Sequence, residues 1–149
     1  MSRRSPVDRP QYTIRLVGWS DAQAQLAAVR RAVFIEEQGV PEALEWDGAD
    51  AESVHALAQD ATGAAIGTAR LLPDGRLGRM AVLPPWRGRG VGGALLAALL
   101  AEAQRRGLSP VRLHAQVHAV PFYERFGFVR EGEAFMEAGI PHVEMVRSL

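Results

Sequence analysis

Four glycines and two arginines are packed into the seven residues Arg87-Gly88-Arg89-Gly90-Val91-Gly92-Gly93. The run joins a strand pattern to a helix pattern. Glycine lets backbone approach a ligand closely, and the free N–H groups of a helix start favour an anion. The two guanidinium groups add positive charge at the same place. The combination exceeds what a tight turn needs and predicts a cradle for a diphosphate. Gly88-x-Gly90-x-x-Gly93 also matches the dinucleotide fingerprint literally, but that fingerprint wants an acid ~20 residues on, at the end of the next strand. Here that strand runs Val111-Arg112-Leu113-His114-Ala115 into Gln116, with no acid. A P-loop in its usual form needs a lysine, and the chain has none. Cysteine is absent, which removes thiol nucleophiles, disulfides and thiolate zinc sites together. His55, His114, His118 and His142 form no H-E-x-x-H run and have no cysteine beside them, so no metal is expected.

These groups need a scaffold. Tyr12–Val17 reads as a strand ending at Gly18. Ser20-Asp21-Ala22-Gln23 is a capping-box pattern with Ser20 as N-cap, and Leu26, Val29 and Val33 then fall on one helical stripe. Gly39-Val40-Pro41 stops that pattern, and residues 42–52 read as an acidic loop. Ser53–Gln59, Ala65–Leu72 and Arg76–Val82 read as a three-strand meander, with turns at Asp60-Ala61-Thr62-Gly63 and Pro73-Asp74-Gly75. Residues 90–106 form a helix with Val91, Ala94, Leu95, Ala98 and Leu99 on its apolar face and Gly107 at its C-cap. Val111–Ala115 is a strand, residues 120–126 a short helix with Pro121 in its first turn, and Phe128–Arg130 and His142–Val146 the last strands. Only the crossover around helix 90–106 carries a parallel signature. The expected architecture is α/β (α+β), a mixed and mostly antiparallel sheet of six to seven strands with helices on both faces.

The chain has 149 residues, 48% of them hydrophobic and 23% charged. That predicts one globular domain over residues 11–149 behind a flexible terminus, residues 1–10. The apolar run Val91–Ala101 is far shorter than the ~20 residues of a membrane span. Pro6, Asp8, Arg9 and Pro10 occupy the place where a signal peptide needs apolar residues, so a soluble cytoplasmic protein is expected. Net charge is zero, which argues against a nucleic-acid or membrane-surface partner, RNA binding through the Arg-Gly stretch included. The zero hides an asymmetry. Residues 36–52 hold seven acids and no base, while residues 70–112 hold eight arginines against Asp74 and Glu102. These segments are either opposed fields for a cation and an anion or solvated surface.

Arg87-Gly88-Arg89-Gly90-Val91-Gly92 after the strand Arg79-Met80-Ala81-Val82, with Gln116, Ala119, Tyr123 and Gly127-Phe128 downstream, resembles the GNAT family of N-acetyltransferases. The resemblance runs from about Thr13 to Arg147. Val33-Phe34-Ile35-Glu36-Glu37-Gln38, the acids Glu45, Asp47 and Asp50, and Gly139-Ile140-Pro141-His142 are further similar to its bacterial ElaA-like subgroup. The resemblance implies acetyl-CoA as co-substrate. The backbone of Met80, Ala81 and Val82 would pair with pantetheine as an added strand does. Residues Gly88, Arg89, Gly90, Val91, Gly92 and Gly93, with Arg87, would hold the pyrophosphate. Gln116 stands where the family often has Asn and would touch pantetheine. Tyr123 would protonate the departing thiolate.

The implied acceptor is an amine, of a small molecule or a peptide. An alkyl ammonium sits ~3.4 units above neutral pH, about 4.6 kcal/mol, so a base must take its proton. Arg76 and Arg79 occupy the strand where some relatives carry a catalytic Glu. Candidate bases are Glu37, Glu45, His118 and His142, with Glu37, Glu45 and His142 also candidate substrate contacts. With no cysteine to carry an acyl group, direct attack in a ternary complex is expected, by a monomer or homodimer. The rival reading is an acyl-CoA-binding regulatory module without catalysis.

Overall fold

The computed structural model describes residues 11–149; the expectation for residues 1–10 lies outside them. The first strand, β1 (Tyr12–Gly18), is followed by α1 (Trp19–Arg30), which continues into a π-helix over Arg31–Glu37. A short α2 (Glu42–Glu45) and a 3-10 turn over Asp50–Glu52 lead to β2 (Val54–Asp60), β3 (Ala65–Leu71) and β4 (Arg76–Val82). Then come α3 (Val91–Arg105), β5 (Val111–Gln116), α4 (Val120–Glu124), β6 (Val129–Glu137) and β7 (Ile140–Arg147). The seven strands form one sheet in the order β1-β2-β3-β4-β5-β7-β6. Only β4 and β5 are parallel; every other neighbour pair is antiparallel. The expected fold class is the one observed.

Helices cover both faces because the central strands are apolar on both. On β2, Ala56 and Ala58 pack toward α3, while Leu57 packs beneath α1 with Leu26 and Val17. The stripe Leu26, Val29 and Val33 is fully interior, as its spacing predicts. The buried face of α3 is Val91, Leu95, Leu96, Leu99, Leu100 and Ala103. It is turned from the expected stripe, so Ala94 and Ala98 are only half-buried. Gly67 lets α3 approach β3: a Cβ there would lie 3.1 Å from both Leu95 Cδ1 and Val91 Cγ1.

Three details depart from the sequence reading. The capping box does not form. The helix starts at Trp19 with Gly18 as N-cap and no side-chain cap, and Ala22 breaks it at φ −141°, ψ 25°. Trp19 packs on His55 (ring centroids 5.4 Å apart) and on Arg30, which turns the chain before Ser20 can cap it. The last two strands are longer than expected and form a hairpin. Its tip, Ala138-Gly139, takes positive φ at both residues, the geometry a two-residue hairpin turn requires.

The third departure concerns charge. Three acids of residues 42–52, Glu45, Asp47 and Asp50, are neither an open field nor free surface, because arginines from three elements pair with them; Glu42 and Glu52 stay exposed. Arg30 is wholly buried; its Nε lies 2.8 Å from Glu45 Oε2 and its Nη1 2.6 Å from Asp50 Oδ1. Arg70 of β3 reaches Asp47 at 2.8 Å and Asp50 at 3.1 Å. Arg79 of β4 reaches Glu45 at 3.2 Å and Asp47 at 3.4 Å. Trp46 closes over the Arg30 guanidinium at 4.9 Å. Hydrogen bonds from Arg70 hold the Asp47 carboxyl far below the usual carboxylate range. Burial works against the Asp50 charge, and Arg30 and Arg70 more than offset it, leaving its pKa lowered.

Arg30→Ala removes the fully buried arginine shared by Glu45 and Asp50, leaving them only Arg79 and Arg70, and is expected to cost about 3–5 kcal/mol, read by denaturant unfolding at neutral pH. Lowered folded-state carboxyl pKa values contribute stability that is present above the unfolded value and lost as pH falls through the folded one. The thermal midpoint should therefore decline once pH drops below about 4. A midpoint that stays flat from about pH 4 to about pH 2 would remove the network from the stability balance.

Candidate active site

The parallel pairing of β4 with β5 covers only Arg76↔Arg112 and Leu77↔Leu113. Beyond those two pairs the strands separate. The gap becomes a cleft of about 960 Å³ lined by β4, β5, the π-helix, α2, α4 and the β6–β7 tip. A bulge begins the separation: between Thr68/Arg70 and Ala81/Gly78 the register shifts, and Arg79 takes φ +51°. Leu83 donates its N–H to Ile66 of β3. By alternation, the Val82 peptide groups face the open side, where the carbonyl accepts a hydrogen bond from Arg87 Nε at 2.9 Å.

The glycine turn lies at one end of this cleft. Gly88 and Gly90 have positive φ, and Gly90 at +83° is the N-cap of α3, with no side chain capping the helix. The first amide groups of α3 are thus left for a ligand. A Cβ on Gly93 would come within 3.0 Å of Phe126 Cζ, so this glycine seats α3 against the chain after α4. Arg89 lies over Trp86 at 4.9 Å, and Tyr12 meets the same ring edge-on. Gly92 faces Phe122 and the Met80 sulfur, and the Tyr123 hydroxyl lies 3.9 Å from that sulfur. Burial pushes the Tyr123 hydroxyl up to about 12, so it holds its proton at neutral pH. Phe122 and Phe128 pack edge-on against its ring and fix it.

The cleft gathers Met80, Ala81, Val82, Arg87, Gly92, Gln116, His118, Tyr123, Glu37, Glu45 and His142. Gly88, Arg89, Gly90, Val91 and Gly93 lie at its end rather than in its lining. Several of these side chains already hold partners. Glu37 makes two hydrogen bonds with Arg87, at 2.6 and 2.8 Å, and those bonds lower its pKa. Glu45 is 2% exposed and committed to Arg30 and Arg79. Gln116 donates to Gln38 at 2.9 Å and lies 2.8 Å from His118 Nε2. His142 is 7% exposed and sits between Gln116 of β5 and Phe135 of β6. Two residues were missed in the sequence: His114 and Glu137 also line the cleft. Their contact is set by the order of β5, β7 and β6 and has no local sequence signal. Among the described residues, no group of three or more His, Asp or Glu side chains could hold a metal ion.

The sequence model of the acetyltransferase (GNAT) domain matches residues 19–149. The chain belongs to the GNAT family. Among curated relatives, it is 40% identical over 123 residues to the Bacillus subtilis N-acetyltransferase YjcF, covering 80% of this chain and 87% of the relative. The crystal structure of Escherichia coli ElaA is 30% identical, with TM-score 0.82 over 91% of this chain and 99% of that one. An acyl-CoA N-acyltransferase from Pseudomonas aeruginosa is 32% identical, with TM-score 0.82 over 92% and 99%. The likeness to ElaA and YjcF supports the ElaA-like subgroup. The activity shared at this level is acyl transfer.

In this GNAT domain Gly90→Val tests the glycine turn. A β-branched residue at φ +83° is strained, by about 1–2 kcal/mol, and its side chain covers the helix start. The folded variant is expected to bind CoA at least tenfold more weakly by calorimetry. Unchanged affinity would place the phosphates elsewhere.

Proposed function

We propose that this protein moves an acetyl group from acetyl-CoA to a primary amine, by direct attack within a ternary complex, in the cytoplasm. The observation that carries the reading is the opening between β4 and β5, with the uncapped start of α3 at one end and the protonated Tyr123 hydroxyl inside it. Strand edges left without a ladder partner suit an extended amide-bearing chain, which pantetheine is. Met80, Ala81 and Val82 would receive that arm, with one of their N–H groups on the thioester carbonyl. Residues 88–93 would hold the pyrophosphate, and Arg89, resting on Trp86, would add charge beside it. Gln116 would meet pantetheine from the opposite wall.

Arg87 has a double task in this reading. Its Nε holds the Val82 carbonyl, and its other two nitrogens hold Glu37. An exposed pair of this kind is worth only ~0–1 kcal/mol, so an arriving phosphate can redirect the guanidinium. Glu37 and Glu45 then act as partners of arginine rather than as bases. That leaves the base to the histidines. A small or peptide amine would enter from the side of Leu44, Ile140 and Arg79, where the cleft meets solvent.

Calorimetric titration with acetyl-CoA, with NADH as control, tests the donor. Micromolar binding of the first and silence with the second is expected; no acetyl-CoA binding by folded protein would refute the reading. Tyr123→Phe should lower kcat about tenfold or more while acetyl-CoA affinity changes less than twofold, since the hydroxyl acts only on the leaving sulfur. Unchanged turnover would remove Tyr123 from the mechanism.

A further inference from the structure

A chain of side chains on β4, β5 and β6 ends at His142, and each hydrogen bond in it has a forced direction. Arg76 Nη1 lies 3.2 Å from His114 Nε2. A guanidinium only donates, so His114 must accept at Nε2 and carry its proton on Nδ1. His114 Nδ1 lies 3.0 Å from Glu137 Oε1 and donates to it. The other Glu137 oxygen, Oε2, lies 3.6 Å from His142 Nε2. His142 Nδ1 lies 2.7 Å from the Ile140 carbonyl, which only accepts, so the His142 proton is on Nδ1 and its Nε2 lone pair is free. Phe135 stacks on the His142 ring and meets the His114 ring edge-on, which holds both in place.

We propose that His142 Nε2 is the general base for the amine, that Glu137 stabilises the imidazolium it becomes, and that His114 and Arg76 position Glu137. The proposal rests on the acyl-transfer reading above. His142 borders Gln116 on the wall facing Met80 and Tyr123, in the same cleft. The charged groups around it are few. Glu144, on its own strand, is 3.8 Å from Arg76 and 3.6 Å from Arg112, so its charge is spent there. From β5 and the chain after it come Gln116, His114 and His118, and from the end of the π-helix Gln38. His118 is exposed, and its one side-chain hydrogen bond is to a neutral amide.

The reaction balances as follows. The ammonium gives one proton to His142 Nε2, and its nitrogen regains a lone pair. That pair forms the N–C bond to the thioester carbonyl carbon, and the carbonyl π electrons move to oxygen. Collapse restores C=O and breaks C–S, and the sulfur takes the Tyr123 proton. The second nitrogen proton leaves to solvent, solvent restores Tyr123, and His142 releases its proton to water. Amide, free CoA and one proton are the products.

Nitrogen-15 imidazole NMR on the full chain reads the tautomers directly. His142 and His114 are both expected as Nδ1–H; a neutral His142 protonated at Nε2 would overturn the proposal whether or not any amine reacts. Kinetics use thiol release with acetyl-CoA and spermidine, phenylethylamine or a short peptide with a free N-terminus. His142→Asn keeps an N–H where Nδ1 stands, so the bond to Ile140 survives while the base is lost. It should lower kcat by about 100-fold or more and abolish the acid limb of the kcat/KM profile, with acetyl-CoA binding retained. Glu137→Gln, on a half-exposed side chain, should lower kcat about tenfold and move that limb to lower pH, because the imidazolium loses its counter-charge. Wild-type turnover with both variants unchanged, or an acid limb that vanishes only in His118→Gln, would overturn the base assignment and leave acyl transfer standing. Failure of wild-type to bind acetyl-CoA would instead refute the reading beneath it.

Discussion

Two residues of β4 pair with β5, and then the backbone must find other partners. An internal strand edge without a ladder is costly, because buried amides lose water without gaining a hydrogen bond. The protein meets this at Val82, whose carbonyl is taken by Arg87, and otherwise leaves the edge facing a cleft. The bulge at Arg79 starts the divergence, and α4 with Phe122 and Tyr123 occupies one end of the gap. Everything in the site is arranged around that opening. The glycine turn reaches it because α3 begins where β4 ends, and the histidine wall reaches it because β7 lies beside β5.

The buried charge network holds the near side of the same opening. Glu45, Asp47 and Asp50 lie on an irregular segment that supplies little apolar surface. Arg30, Arg70 and Arg79 fasten it to α1, β3 and β4. Replacing such a network by apolar groups is often neutral for stability, so its distinctive contribution is geometric: it sets where the segment lies relative to β4. Arg79 joins the two systems, since it is both the residue of positive φ in the bulge and a partner of Glu45 and Asp47. The position of the cleft wall and the pairing of these charges therefore depend on each other.

The far wall is built differently. Residues of β5, β7 and β6 alternate, with Leu113, Ala115, Val143 and Met145 toward α3 and His114, Gln116 and His142 toward the cleft. The register Gln116↔His142↔Phe135 puts an amide, an imidazole and an aromatic ring side by side. Lone pairs and protons there are fixed by groups that can only donate or only accept, Arg76 and the Ile140 carbonyl.

Much of this was legible in the sequence. The glycine run, the meander turns, the apolar stripes of α1 and α3, and the single parallel crossover are local patterns, and local patterns survive in the fold because each is set by neighbours a few residues away. The GNAT resemblance rested on particular residues, the glycine run after Arg79-Met80-Ala81-Val82 and Gln116, Ala119, Tyr123 and Gly127-Phe128 downstream. What the tertiary structure alone decided is the partner of each charge and the register of the last hairpin. Seven acids and eight arginines in separate segments read as either opposed fields or solvated surface, yet Arg70 and Arg79 pair with Asp47, Asp50 and Glu45, and Arg87 pairs with Glu37. Sequence spacing carries no information about pairs joined only by folding. His114 and Glu137 escaped notice for the same reason: 23 residues apart, they come within 3.0 Å only because β7 inserts between β5 and β6.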